Sequence, residues 1–117
     1  METKRKQFMV VLQGSLKDWK DLSPEESQKI LEKYYAWVNG LKEQNRFKGG
    51  DPLKDGHFKL TPKGKEVVVD GPFTESKETL TGYFLVEAED EKEIIEISKG
   101  CPALGHGESV LIFELGH

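Results

Sequence analysis

The chain has 117 residues, 36% apolar and 32% charged, and its 21 acidic against 17 basic side chains give a net charge of −4. Those totals describe one domain with one core; they exclude a disordered chain, and they give no electrostatic reason to bind nucleic acid. No apolar run approaches the roughly 20 residues of a membrane span, and the lone cysteine, Cys101, rules out an internal disulfide.

The whole of residues 1–117 is expected to form a single domain. Residues 1–6, with Lys4, Arg5 and Lys6, are expected to be a flexible basic tail, and they lack the apolar segment of a signal peptide, so the expected compartment is the cytoplasm. Residues 7–13 include Phe8, Met9, Val10, Val11 and Leu12 in unbroken series, the pattern of a central strand. Ser23, Pro24 and Glu26 supply an N-cap, a first-turn proline and a capping box, so a helix starts there. Its apolar residues Ile30, Leu31, Tyr34, Tyr35, Trp37, Val38 and Leu41 recur at three- and four-residue spacing and predict one broad buried face.

Asn45 suits the left-handed residue that ends a helix. Residues 47–52 read as a short strand that breaks at Gly49-Gly50. Residues 56–70 read as a hairpin turning at Thr61-Pro62-Lys63-Gly64, and it leads into the loop Asp70-Gly71-Pro72-Phe73. A strand follows over residues 82–88. Asp90 with Glu93 then caps a second helix carrying Ile94, Ile95 and Ile97, which Gly100 and Pro102 close. Gly105-His106-Gly107 reads as a flexible surface loop before a last strand, residues 109–115.

This order of elements predicts an α+β fold: a ferredoxin-like antiparallel sheet with both helices on one face and an inserted β-hairpin. The other sheet face would then be too apolar for water, and face-to-face pairing into a homodimer is the simplest cover.

Asp70-Gly71-Pro72-Phe73 is locally a turn tetrapeptide. As a site, it would use Asp70 as general base or hydrogen-bond acceptor, Gly71 for close backbone approach, Pro72 and Phe73 as ligand contacts, and Lys77 as an anion partner. As architecture, it caps a strand and buries Phe73. Cys101 lies at the end of a helix, where no positive dipole lowers a thiol pKa, and reads as a buried structural thiol. His106, five residues on, is the one histidine near it in sequence, making the pair a candidate ligand contact. His57, His106 and His117 share no metal-ligand spacing, so neither a metal nor a cofactor is expected. Trp19 either closes over a cleft or pins the loop after the first strand.

The loop, the following Glu75, Lys77, Glu78 and Gly82-Tyr83, Cys101-Pro102, and Leu22-Ser23-Pro24-Glu25-Glu26 together resemble the YCII-related family in its DGPF branch, over about residues 7–115. The resemblance implies the dimeric α+β-barrel fold. It also implies a cleft where relatives place a His–Asp pair, the histidine on the first helix and the aspartate just after the second. Those positions fall near Tyr34 and Cys101 here, so the pair is not carried over; Tyr34 becomes a candidate ligand contact. Two functions follow as expectations: a dimer that binds or transforms a small molecule near the DGPF loop, or a non-catalytic dimeric interaction module.

Overall fold

A computed structural model describes residues 4–15, 19–54, 56–62, 67–70 and 78–116, with the backbone alone for 67–70. Among the described residues six strands and two helices are bounded: β1 (Lys6–Gly14), α1 (Pro24–Glu43), β2 (Phe47–Pro52), β3 (His57–Leu60), β4 (Val67–Asp70), β5 (Thr79–Ala88), α2 (Glu91–Lys99) and β6 (Ser109–Glu114). A short 3-10 turn, Pro102–His106, joins α2 to β6. The main sheet runs β2-β5-β1-β6 with every neighbour antiparallel. With the β3–β4 hairpin as an insertion, this is the ferredoxin-like order expected from the sequence.

Both helix starts follow the capping chemistry. The Glu26 amide donates to Ser23 Oγ at 3.1 Å while the Ser23 amide donates to Glu26 Oε1 at 3.3 Å, satisfying two amides that the first turn of α1 would otherwise leave unpaired. The Glu93 amide donates to Asp90 Oδ1 at 2.8 Å at the start of α2. Glu93's own carboxylate reaches back to the Glu89 amide and takes a second donor, the Arg46 guanidinium, from the loop before β2. Asn45 has φ 58° after α1, as its residue type predicts.

Strand alternation sorts the core. On one face of β1, Phe8, Val10 and Leu12 are buried; Phe8 and Val10 pack with Leu41 of α1, Val86 and Ala88 of β5, and Ile94 of α2. Leu12 joins Cys101 and Ala103 in a second cluster under the 3-10 turn. Alternate residues of β1, Met9 and Val11, pair with Leu85 and Tyr83 on one side and with Phe113 and Leu111 on the other, giving an apolar row on the face away from this core.

Four sequence expectations need correction. Residues 47–52 do not break at the glycine pair: β2 runs through it, with a bulge between Phe47 and Gly49. Gly50, at φ 159°, lies so close to β5 that a Cβ there would stand 2.5 Å from the Tyr83 carbonyl oxygen, so the glycines admit the strand. Residues 102–106 form the 3-10 turn, ending at Gly107 with φ 84°, because Cys101 and Ala103 are drawn into the core. The strand expected at residues 82–88 begins three residues earlier, at Thr79. Finally, the apolar face of α1 is not broadly buried: Leu41 is covered, but Leu31 and Tyr35 remain 40% and 63% exposed because the helix stands off the sheet there.

Candidate functional site

Where α1 stands away from the sheet, a cavity of about 620 Å³ opens between them, within the range of small-molecule sites. Leu31, Tyr34, Tyr35 and Val38 of α1 form one wall. Gly50, Asp51 and Pro52 of β2, Leu53, and Thr81 to Phe84 of β5 form the other. Most of this lining is apolar or aromatic; Asn39, Lys42, Asp51, Thr81 and Glu108 are its polar and charged residues.

Glu108 is the buried carboxylate of this cleft, at 6% exposure. It precedes β6 and is fixed at its backbone by donating its amide to the Ala103 carbonyl at 3.0 Å. Its side chain receives the Trp19 indole Nε1 on one oxygen at 3.2 Å and the Thr81 hydroxyl on the other. Space for it exists because β1 ends in glycine: a Cβ on Gly14 would stand 2.5 Å from Glu108 Cγ. Trp19, from the segment between β1 and α1, and Thr81 of β5 thus meet at one carboxylate, whose backbone the 3-10 turn holds.

Rings surround that point. Trp19 meets the His106 imidazole edge-on at 4.5 Å between centroids and lies 6.3 Å from Tyr34. Tyr34 stacks on Phe84 at 6.1 Å, and Trp37 meets Phe84 in a T at 5.2 Å. Two polar atoms in this cluster are buried without a hydrogen-bond partner, the Tyr34 hydroxyl and His106 Nε2. Such atoms are costly to leave unpaired.

Burial pushes the Tyr34 phenol well above its ordinary value, with Cys101 and the Glu108 charge adding to the effect. Burial likewise pushes the Cys101 thiol up to about 11, against a lowering contribution from the Ala103 backbone, with Glu108 again raising it. Near neutral pH both groups are therefore protonated: Tyr34 is a neutral donor and acceptor, and Cys101 is not a thiolate nucleophile. Among the described residues no group of three His, Cys, Asp or Glu side chains gathers to hold a metal ion.

The sequence candidates are distributed unevenly. Tyr34 lines the cleft, Cys101 lies buried in the core cluster that Tyr34 packs against, and His106 reaches the cleft's edge through Trp19. His106 is therefore not in a flexible surface loop. Asp70 ends β4 opposite His57, and Gly71, Pro72, Phe73 and Lys77 lie outside the described residues. A second open cavity, about 650 Å³, borders His57 together with Leu53, Lys54, Glu78 and Leu80. Trp19 both pins its loop and lines the cleft.

Sequence reasoning missed Glu108 and Thr81. One signal was available for the former: Glu108 is the only Asp, Glu, Lys or Arg between Lys99 and Glu114. Thr81 has no comparable mark, since a threonine in a strand is ordinary.

A family model described as the YCII-related domain matches residues 8–115. Among solved structures, the chain is similar to the 5-chloro-2-hydroxyhydroquinone dehydrochlorinase of Burkholderia phenoliruptrix AC1100, determined in complex with 2,5-dihydroxybenzoquinone. The TM-score is 0.51 and the identity 16%, over 95% of this chain and 94% of the other, a likeness of fold. No curated protein matches. The family match spans the sheet, both helices and every described group around Glu108, and the chain belongs to the YCII-related family.

Proposed function

We propose that this protein binds a small, largely apolar molecule in the cleft between α1 and the sheet, and that it works as a homodimer. The observation that carries the first part is the Tyr34 hydroxyl, buried without a partner beside an open cavity. A ligand polar group would pair with it, and the surrounding rings would bury the ligand's apolar body. The solved relative was determined in complex with a small ring compound, which agrees with this use of the fold. The second part is supported by the sheet face away from the helices, where Met9, Tyr83, Leu85 and Leu111 flank the buried Val11 and are themselves half-buried, and Phe113 is 50% exposed.

The DGPF loop has a place in this reading. Asp70 pairs across the hairpin with His57, which borders the second cavity. Asp70 is proposed as the polar group of the loop, general base or ligand acceptor, and Gly71, Pro72, Phe73 and Lys77, which lie outside the described residues, as ligand contacts. We further propose that the protein is of the DGPF branch, a reading that the loop's residues support, and that it works in the cytoplasm.

One observation favours the alternative, a non-catalytic interaction module. Phe58 and Leu60 of β3 are 75% and 69% exposed, an unusual presentation for two large apolar side chains on one strand.

A thermal-shift screen with small metabolites decides between these readings. A ligand held at a hundred times its dissociation constant adds about 2.7 kcal/mol to stability, a shift of roughly 10 °C for a domain of this size. A hit lost in Tyr34→Phe supports the cleft, a hit lost in Asp70→Asn at unchanged melting temperature supports the loop, and no hit supports the interaction module. Sedimentation at micromolar concentration tests the homodimer, and a stable monomer would refute it.

A further inference from the structure

We propose that the Glu108 end of the cleft is a subsite for an organic ammonium group, so that the ligand is a small amine with an apolar or aromatic body. This rests on the reading of the cleft as a small-molecule site and adds the charge of what enters it.

The basis is an imbalance at one buried carboxylate. Both oxygens of Glu108 are held by neutral donors, the indole of Trp19 and the hydroxyl of Thr81. Neutral donors orient a carboxylate without cancelling its charge. No lysine, arginine or histidine among the described residues forms an ion pair with it, yet it is only 6% exposed. An uncompensated carboxylate at that depth is expensive. Each oxygen also keeps a second lone-pair direction after its one hydrogen bond.

A protonated amine supplies what is lacking, a positive charge and up to three N–H donors. Trp19 and Tyr34 line the same cleft as Glu108, and aromatic rings attract cations. The Tyr34 hydroxyl, buried and unpartnered, can accept one of the N–H groups. Anionic ligands fit less well. Among the described residues Lys42 is the one basic side chain of the lining, set 5.5 Å over the Phe47 ring, while Glu108 and Asp51 both repel negative charge. A neutral alcohol would complete the hydrogen bonds and leave the charge.

The test is a nuclear magnetic resonance titration of the full chain at pH 7 with benzylamine, benzyl alcohol and benzoate. The expected result is saturable shifts at the Trp19 indole, Thr81 and Glu108 signals, with benzylamine binding at least tenfold more tightly than benzyl alcohol and benzoate leaving those signals in place. Glu108→Gln, checked as folded by its own spectrum, should lose the tenfold preference. The wild-type ranking decides the matter even where the variant fails to fold. Benzyl alcohol or benzoate binding as tightly as benzylamine would overturn the ammonium subsite and leave the cleft reading standing. Three compounds without effect on those signals would overturn both.

Discussion

Trp19 donates its indole N–H to Glu108 at 3.2 Å, across 89 positions of sequence. The bond ties the segment between β1 and α1 to the residue just before β6, and it fixes the buried carboxylate at the cleft. Trp19→Phe keeps a ring against His106 and Tyr34 and removes the donor. The expected cost is about 1–2 kcal/mol in urea unfolding, the range for a buried acceptor that loses its partner. An unchanged midpoint would show that the bond does not hold the loop.

Gly50 should tolerate no side chain. At φ 159°, with a Cβ placed 2.5 Å from the Tyr83 carbonyl oxygen and 2.7 Å from a Phe84 ring carbon, alanine must push β2 away from β5. Gly50→Ala is expected to cost about 2 kcal/mol or more and to speed amide hydrogen exchange along β2. Gly105, with no atom within 4 Å of its Cβ position, is the control, and Gly105→Ala should change stability little.

Stability should fall at alkaline pH partly through Cys101. Its folded-state pKa is raised from the ordinary 9.0 to about 11, so the folded state holds the proton more tightly than the unfolded one. The contribution is fully present below pH 9 and is lost as the pH climbs from about 9 through 11. Cys101→Ala should flatten the decline of melting temperature over that window. In the folded protein at pH 7, iodoacetamide should modify Cys101 slowly, and urea should accelerate the reaction sharply. Rapid labelling of the folded chain would contradict the buried, protonated thiol.

Acid should act through Glu93. Hydrogen bonds from the Glu89 amide and then from Arg46 hold its carboxyl below the ordinary carboxylate value. A lowered folded pKa gives stability that is present above the unfolded value, near 4.5, and lost as pH falls through the folded one. Glu93→Gln should therefore destabilise at neutral pH and reduce the slope of stability against pH below about 4.5, read from melting curves between pH 2 and 7.

The fold was largely legible because its signals are local. Ser23 with Glu26, Asp90 with Glu93, Asn45 after α1 and the apolar run around Phe8 each act within a few residues, and each appears in the structure as its chemistry requires. The site was less legible because it is assembled across the chain. Trp19, Tyr34, Thr81 and Glu108 converge only after β5 inserts between β1 and β2, and no spacing records that. The helix pattern even pointed the wrong way: Leu31 and Tyr35 have the periodicity of a buried face, but periodicity does not distinguish a wall packed on the sheet from a wall facing a cleft. The glycine pair misled for a similar reason, since Gly49-Gly50 marks a close strand approach as readily as a strand end.

Tyr34 separates a binding cleft from an ordinary gap under a helix. Its hydroxyl has no partner, so Tyr34→Phe removes an unsatisfied group and should raise the stability of the unliganded protein by about 1 kcal/mol. The same change should abolish the stabilisation given by the metabolite that most raises the wild-type melting temperature. Paired melting curves of wild type and Tyr34→Phe, each with and without that metabolite, measure both effects. A more stable variant that no longer responds is the predicted result; a less stable variant whose response is undiminished would contradict the cleft as the binding site.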